Sequence, residues 1–131
     1  MGIGTLLLSS LASAVAPVAV AELRCPPRLP GPHPGFEQVG PIPAAHWLLW
    51  RMQLFDAAHG KAAPKELAPN QMIEQHNGFT LTWLLAGTED LTIVCLYNGS
   101  ATYYVAHPRP APALCTMRND NGLTQGSCEI P

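Results

Sequence analysis

Leu114-Cys115-Thr116-Met117-Arg118-Asn119-Asp120-Asn121-Gly122-Leu123-Thr124-Gln125-Gly126-Ser127-Cys128 decides the fold, because a turn signal sits at its middle and a cysteine stands near each end. Asn-Gly suits a two-residue type I′ hairpin, whose central residues both need positive φ. Centring the turn on Asn121-Gly122 pairs Asp120 with Leu123 and Asn119 with Thr124. Followed outward, the same register sets Cys115 opposite Cys128. The residues flanking such a turn form a hydrogen-bonded pair and the pairs alternate from there, so the two cysteines meet at a non-hydrogen-bonded position. Side chains lie closer at that position, which suits a disulfide whose Cβ atoms must approach to about 3.5–4.5 Å. The spacing therefore predicts Cys115–Cys128, between strands at 114–118 and 125–130, and leaves Cys25–Cys95 as the second bridge.

Working back from the hairpin, His107 to Pro112 holds Pro108, Pro110 and Pro112 and reads as a connection. Before it, Ala101-Thr102-Tyr103-Tyr104-Val105-Ala106 reads as a strand, preceded by a second hairpin signal at Asn98-Gly99. Leu91 to Tyr97 is a strand, and Phe79-Thr80-Leu81-Thr82-Trp83-Leu84-Leu85 alternates apolar residues with threonine as a half-buried strand does. A loop over Gly87 to Asp90 joins these two. Strands joined by short turns predict an antiparallel meander, with Phe79, Leu81 and Trp83 packed with Leu91, Ile93 and Cys95.

The stretch 46–56, His46-Trp47-Leu48-Leu49-Trp50-Arg51-Met52-Gln53-Leu54-Phe55-Asp56, fits a helix with Trp47, Trp50, Arg51 and Leu54 on one face. It also fits a strand with Leu48, Trp50, Met52 and Leu54 on one face, and the strand is preferred. Residues 57–78, with Gly60, Pro64, Pro69, Asn77 and Gly78, read as a long loop with one helical turn near Lys65-Glu66-Leu67. Residues 22–43 carry Pro26, Pro27, Pro30, Pro32, Pro34, Pro41 and Pro43. Without the donors a ladder needs, this segment reads as an extended, irregular arm, stapled to the β domain of residues 44–131 through Cys25. The fold class expected is mostly all-β: a meander sheet, or a small sandwich or barrel, of about five to seven strands with two disulfides.

Residues 1–21 carry no charge, and their apolar run ends in Ala19-Val20-Ala21 before Glu22, the small-x-small pattern of a signal-peptide cleavage site. Arg24 ahead of Cys25 does not fit a lipid-attachment box. The mature chain is thus expected to be periplasmic or secreted, with no membrane attachment after cleavage. Four cysteines in an exported chain read as disulfides, and no Cys-x-x-Cys occurs to suggest a metal or redox site. The net charge of −2 and the lack of a basic stripe argue against nucleic acid as a partner.

The order of Cys25-Pro26-Pro27, Leu54-Phe55-Asp56 with Gly60, Leu67-Ala68-Pro69-Asn70, Leu81-Thr82-Trp83, Val94-Cys95-Leu96-Tyr97-Asn98-Gly99 and the paired Cys115 and Cys128 resembles an uncharacterised family of small periplasmic proteins of Gram-negative bacteria, known by a locus tag. The resemblance spans roughly residues 24–128. It implies export and disulfides and carries no reaction with it; the prolines and the hairpin at Arg118 to Gly122 depart from the family pattern.

No catalytic, cofactor or metal residues emerge. His33, His46, His59, His76 and His107 stand on separate segments and read as solvated, although Met52, Met72 and Met117 are thioethers of the kind copper takes. Ser100 and Ser127 sit beside turn glycines, and Asp56, Glu66, Glu74, Glu89 and Asp90 read as loop carboxylates rather than a hydrolytic pair. The aromatic residues Trp47, Trp50, Tyr103 and Tyr104 are the candidate binding surface, with Tyr103 and Tyr104 on opposite faces of their strand. The function expected is a non-enzymatic exported domain binding a periplasmic protein or glycan; an envelope-acting hydrolase and a metal-binding protein are the alternatives.

Overall fold

A computed structural model describes residues 22–29, 33–41, 46–57 and 64–130; the leader expected at 1–21, with Gly60 and His59, lies outside the described residues. These residues form eleven strands: β1 (Glu22–Arg24), β2 (Arg28–Leu29), β3 (Glu37–Val39), β4 (Trp47–Asp56), β5 (Lys65–Glu66), β6 (Gln71–Gln75), β7 (Gly78–Leu84), β8 (Leu91–Tyr97), β9 (Tyr103–Ala106), β10 (Leu114–Asp120) and β11 (Leu123–Glu129). They make a five-stranded sheet, in the order β1-β11-β10-β7-β6, and a six-stranded one, in the order β2-β4-β8-β9-β3 with β5 on β4. Every pairing is antiparallel.

The hairpin of β10 and β11 has the predicted register, Asp120 opposite Leu123 and Cys115 opposite Cys128. Its turn residues have the left-handed conformation of type I′, φ 53° at Asn121 and 80° at Gly122. Both expected disulfides are closed, Cys115–Cys128 within this hairpin and Cys25–Cys95 between the sheets. The core lies between the sheets. Trp83, Cys115, Met117 and Cys128 face it from one side; Leu29, Leu49, Met52, Leu54, Leu91, Ile93, Cys95, Tyr97, Tyr104 and Ala106 face it from the other.

Several expectations are corrected. The meander is broken, because β7 and β8 belong to different sheets: the chain turns a corner at Ala86-Gly87, where Gly87 has φ 89° and Thr88 N–H bonds to the carbonyl of Leu85 at 2.9 Å. The strand at 46–56 forms as β4, but its register shifts between Leu49 and Arg51. A bulge of this kind inserts one residue and breaks the alternation. Leu49, Met52 and Leu54 therefore point inward, while Leu48 and Trp50, expected beside Met52 and Leu54, are exposed at 47% and 48%.

The loop expected at 57–78 contains β5 and β6 in place of a helical turn. Lys65 and Glu66 pair with Asp56 and Phe55, and β6 folds onto β7 through a two-residue turn at His76-Asn77. In the described part of the arm, residues 22–29 and 33–41, β1, β2 and β3 pair along sheet edges at proline-free positions. These three short edge strands, together with the two-residue β5, raise the strand number above the five to seven expected. The hairpin after Asn98-Gly99 is wider than a two-residue turn, since β9 starts at Tyr103 and pairs it with Leu96. Gly99 has φ 74°, and a Cβ there would lie 2.9 Å from the Trp47 ring. Thr102 is drawn out of the ladder by donating its hydroxyl to the Pro41 carbonyl at 2.6 Å.

Candidate binding face

The central strand of the six-stranded sheet is apolar on both faces. Leu91, Ile93, Cys95 and Tyr97 of β8 are buried inward, whereas Thr92, Val94 and Leu96 alternate outward and are only half-buried. A strand with one face in water ordinarily reads polar on that face, and near-continuous apolar runs belong to strands covered on both sides. The registers extend this apolar surface sideways. Val94 lies beside Val105 of β9 and Gln53 of β4, and Leu96 lies beside Tyr103 and Arg51. Phe55, Pro64, Thr92, Val94, Tyr103 and Val105 line an outward groove of about 290 Å³.

Charge frames the patch. Arg51 donates to Glu66 at 3.0 Å, and Gln53 Nε2 lies 3.4 Å from the other oxygen of the same carboxylate. The Arg51 guanidinium also stands 6.0 Å from the ring centroid of Trp50, which the bulge in β4 turns into solvent. On the far side Thr92 Oγ1 and His107 Nδ1 are 3.1 Å apart.

The four aromatic candidates separate accordingly. Trp50 and Tyr103 belong to this outer face. Trp47 is half-buried, packed on the core and against Gly99. Tyr104 is fully buried, in edge contact with Tyr97 at 5.7 Å between centroids and with Phe36 at 6.3 Å, so it supports the fold and offers nothing to a partner. Sequence alternation separates Tyr103 from Tyr104 but does not say which is inside. Val94, Val105 and Phe55 were missed; for Val94 the signal was the run of β8, apolar at every position except Thr92.

A second opening, of about 370 Å³, lies where the sheets part and is lined by Met52, Leu67, Leu81, Trp83 and Met117 with Arg51 and Glu66 at its rim. Trp83 Nε1 donates to the Leu67 carbonyl at 3.0 Å, and the Met52 N–H lies 3.2 Å from the Met117 sulfur. Among the described residues no three His, Cys, Asp or Glu side chains gather as a metal site needs. His46 Nδ1 meets the Leu29 carbonyl at 3.1 Å, and His33 stacks edge-on to Tyr104. Of the carboxylates considered, Glu66 pairs with Arg51, and Asp90 accepts from Arg109 at 3.1 Å.

No helix among the described residues is long and apolar enough to cross a membrane. Comparison with family models, with curated proteins and with solved structures finds no match.

Proposed function

We propose that this chain is an exported, non-enzymatic binding domain of the bacterial envelope, and that the outer face of its six-stranded sheet docks a periplasmic protein or a cell-wall component. The observation that carries the reading is the apolar outer face of β8. Half-buried Val94 and Leu96, with Tyr103, Val105 and Phe55 around them, lose water only if something covers them. Trp50, held out beside Arg51, is an amphipathic anchor of the kind that dominates binding energy at interfaces. Two closed disulfides suit an oxidising compartment, and the small-x-small pattern before Glu22 favours the periplasm or the medium.

The test is capture from periplasmic extract and from solubilised cell-wall fragments by the purified disulfide-bonded protein. Val94→Arg places a charge in the middle of the face and should abolish capture, and Trp50→Ala should weaken it about tenfold or more. Arg118→Glu, on the other sheet, should leave capture unchanged. Capture that survives Val94→Arg rules out this face.

A further inference from the structure

The five-stranded sheet ends in an edge whose pattern of outward-pointing backbone groups is complementary to itself. β6, Gln71-Met72-Ile73-Glu74-Gln75, pairs with β7 on one side, and no described strand pairs on the other. All five of its residues are exposed, Met72 at 59% and Ile73 at 48%. The other sheet edges are strands of two or three residues, too short to template a partner. Edge strands are usually protected by proline, lysine, a bulge or brevity. β6 has none of these, and Glu74 is its one charge.

The direction of its backbone groups follows from the ladder. Asn121 N–H bonds to the Asn77 carbonyl at 2.9 Å, so residue 77 faces β10. Alternation along β7 then turns the backbone groups of Gly78, Thr80 and Thr82 towards β6, where they meet Gln75, Ile73 and Gln71. The bond from Asn70 N–H to the Thr82 carbonyl, 2.8 Å, agrees with that phase. The N–H and C=O groups of Met72 and Glu74 consequently point away from the sheet.

We infer that β6 pairs antiparallel with β6 of a second copy of this chain, about a two-fold axis at Ile73, to give one continuous ten-stranded sheet. That axis sets Met72 opposite Glu74 of the other copy, and Glu74 opposite Met72. These are the two residues with outward donors and acceptors, so each of the two pairs exchanges both of its bonds. Ile73 meets its own copy at the closer, non-hydrogen-bonded position, and Gln71 meets Gln75. No like charges stand directly opposite. The contact is isologous and closed, giving a dimer and not a fibre. A five-residue edge buries far less than the roughly 1,200 Å² at the lower end of stable interfaces, so the dimer forms at micromolar concentrations or above.

Sedimentation of the full disulfide-bonded protein over rising concentration should show a reversible monomer–dimer equilibrium. Glu74→Pro removes an outward N–H without touching the ladder to β7 and should abolish the dimer. Ile73→Lys sets two ammonium groups face to face and should weaken it several-fold, with unchanged circular dichroism because the side chain is already exposed. Ile73→Cys should form a covalent dimer on oxidation, and Met72→Cys should not, which fixes the register. A protein that stays monomeric up to its solubility limit overturns the inference. So does a dimer that survives both Glu74→Pro and Ile73→Lys.

Discussion

Tyr97 offers a pH experiment with a defined sign. Its ring is 1% exposed, and its hydroxyl donates to the Pro26 carbonyl at 2.5 Å. Burial, with Tyr104 beside it adding a smaller effect, pushes the phenol far above its ordinary value. An unfolded tyrosine ionises near pH 10. Between that pH and the folded value, the unfolded state has released a proton that the native state retains, so stability falls as pH rises. For one phenol held fully neutral the loss is about 1.4 kcal/mol by pH 11 and close to nothing at pH 8. Tyr97→Phe removes the hydrogen bond and leaves the buried Pro26 carbonyl without its partner, at a cost of roughly 1–3 kcal/mol at neutral pH. The variant lacks the ionisation, so the gap between the two proteins should narrow by about 1.4 kcal/mol from pH 8 to pH 11. Urea unfolding followed by tryptophan fluorescence at each pH measures that gap. A gap that stays constant would refute the claim that burial holds this phenol neutral.

The two disulfides should contribute unequally. Cys25–Cys95 closes a separation of 70 residues and Cys115–Cys128 one of 13, so chain entropy gives about 4 and about 3 kcal/mol. Paired alanine variants compared by urea midpoint should preserve that order. Two glycines should fail for different reasons. Gly78→Ala drives a Cβ into the Asn119 carbonyl and should cost roughly 1–3 kcal/mol. Gly122→Ala meets open space but keeps φ 80°, and should cost about 1 kcal/mol; thermal unfolding of both variants checks the difference. At the proposed binding face, Val94→Arg should leave the melting temperature within a few degrees of wild type while abolishing capture, since the side chain points outward.

What could be read in advance depended on whether local chemistry fixed a register. Asn121-Gly122 demands two positive φ values, and one turn then places every residue of β10 against β11, including the two cysteines. β4 lacked such a constraint. Trp47-Leu48-Leu49-Trp50 is apolar at every position, so nothing in it reveals that the alternation slips at Leu49/Arg51 and sends Trp50 outward. β6 was invisible for the opposite reason. A strand exposed on both faces has no apolar period, and only its pairing with β7 identifies it. The same limit hides the apolar outer face, because a run like Leu91 to Tyr97 is apolar on both sides without saying which side the protein covers itself.

The proline arm shows how a segment poor in donors can still hold two sheets together. Proline supplies no N–H, but its carbonyl remains a full acceptor. Pro26 accepts from the Tyr97 hydroxyl of β8, and Pro27 accepts from Leu49 N–H of β4 at 3.0 Å. Just before them, Cys25 N–H donates to the Gly126 carbonyl of β11 at 2.8 Å, while the Cys25 side chain is bonded to Cys95 of β8. Three successive residues thus fasten to both sheets, and they do so where the strands themselves make no ladder across the core. Gly126 permits this approach, since a Cβ there would lie 2.9 Å from the Met52 sulfur and 3.5 Å from that of Cys25. Cys95 and Tyr97, both inward on β8, carry two of these ties, so the arm also holds Val94 and Leu96 on the outer side of that strand.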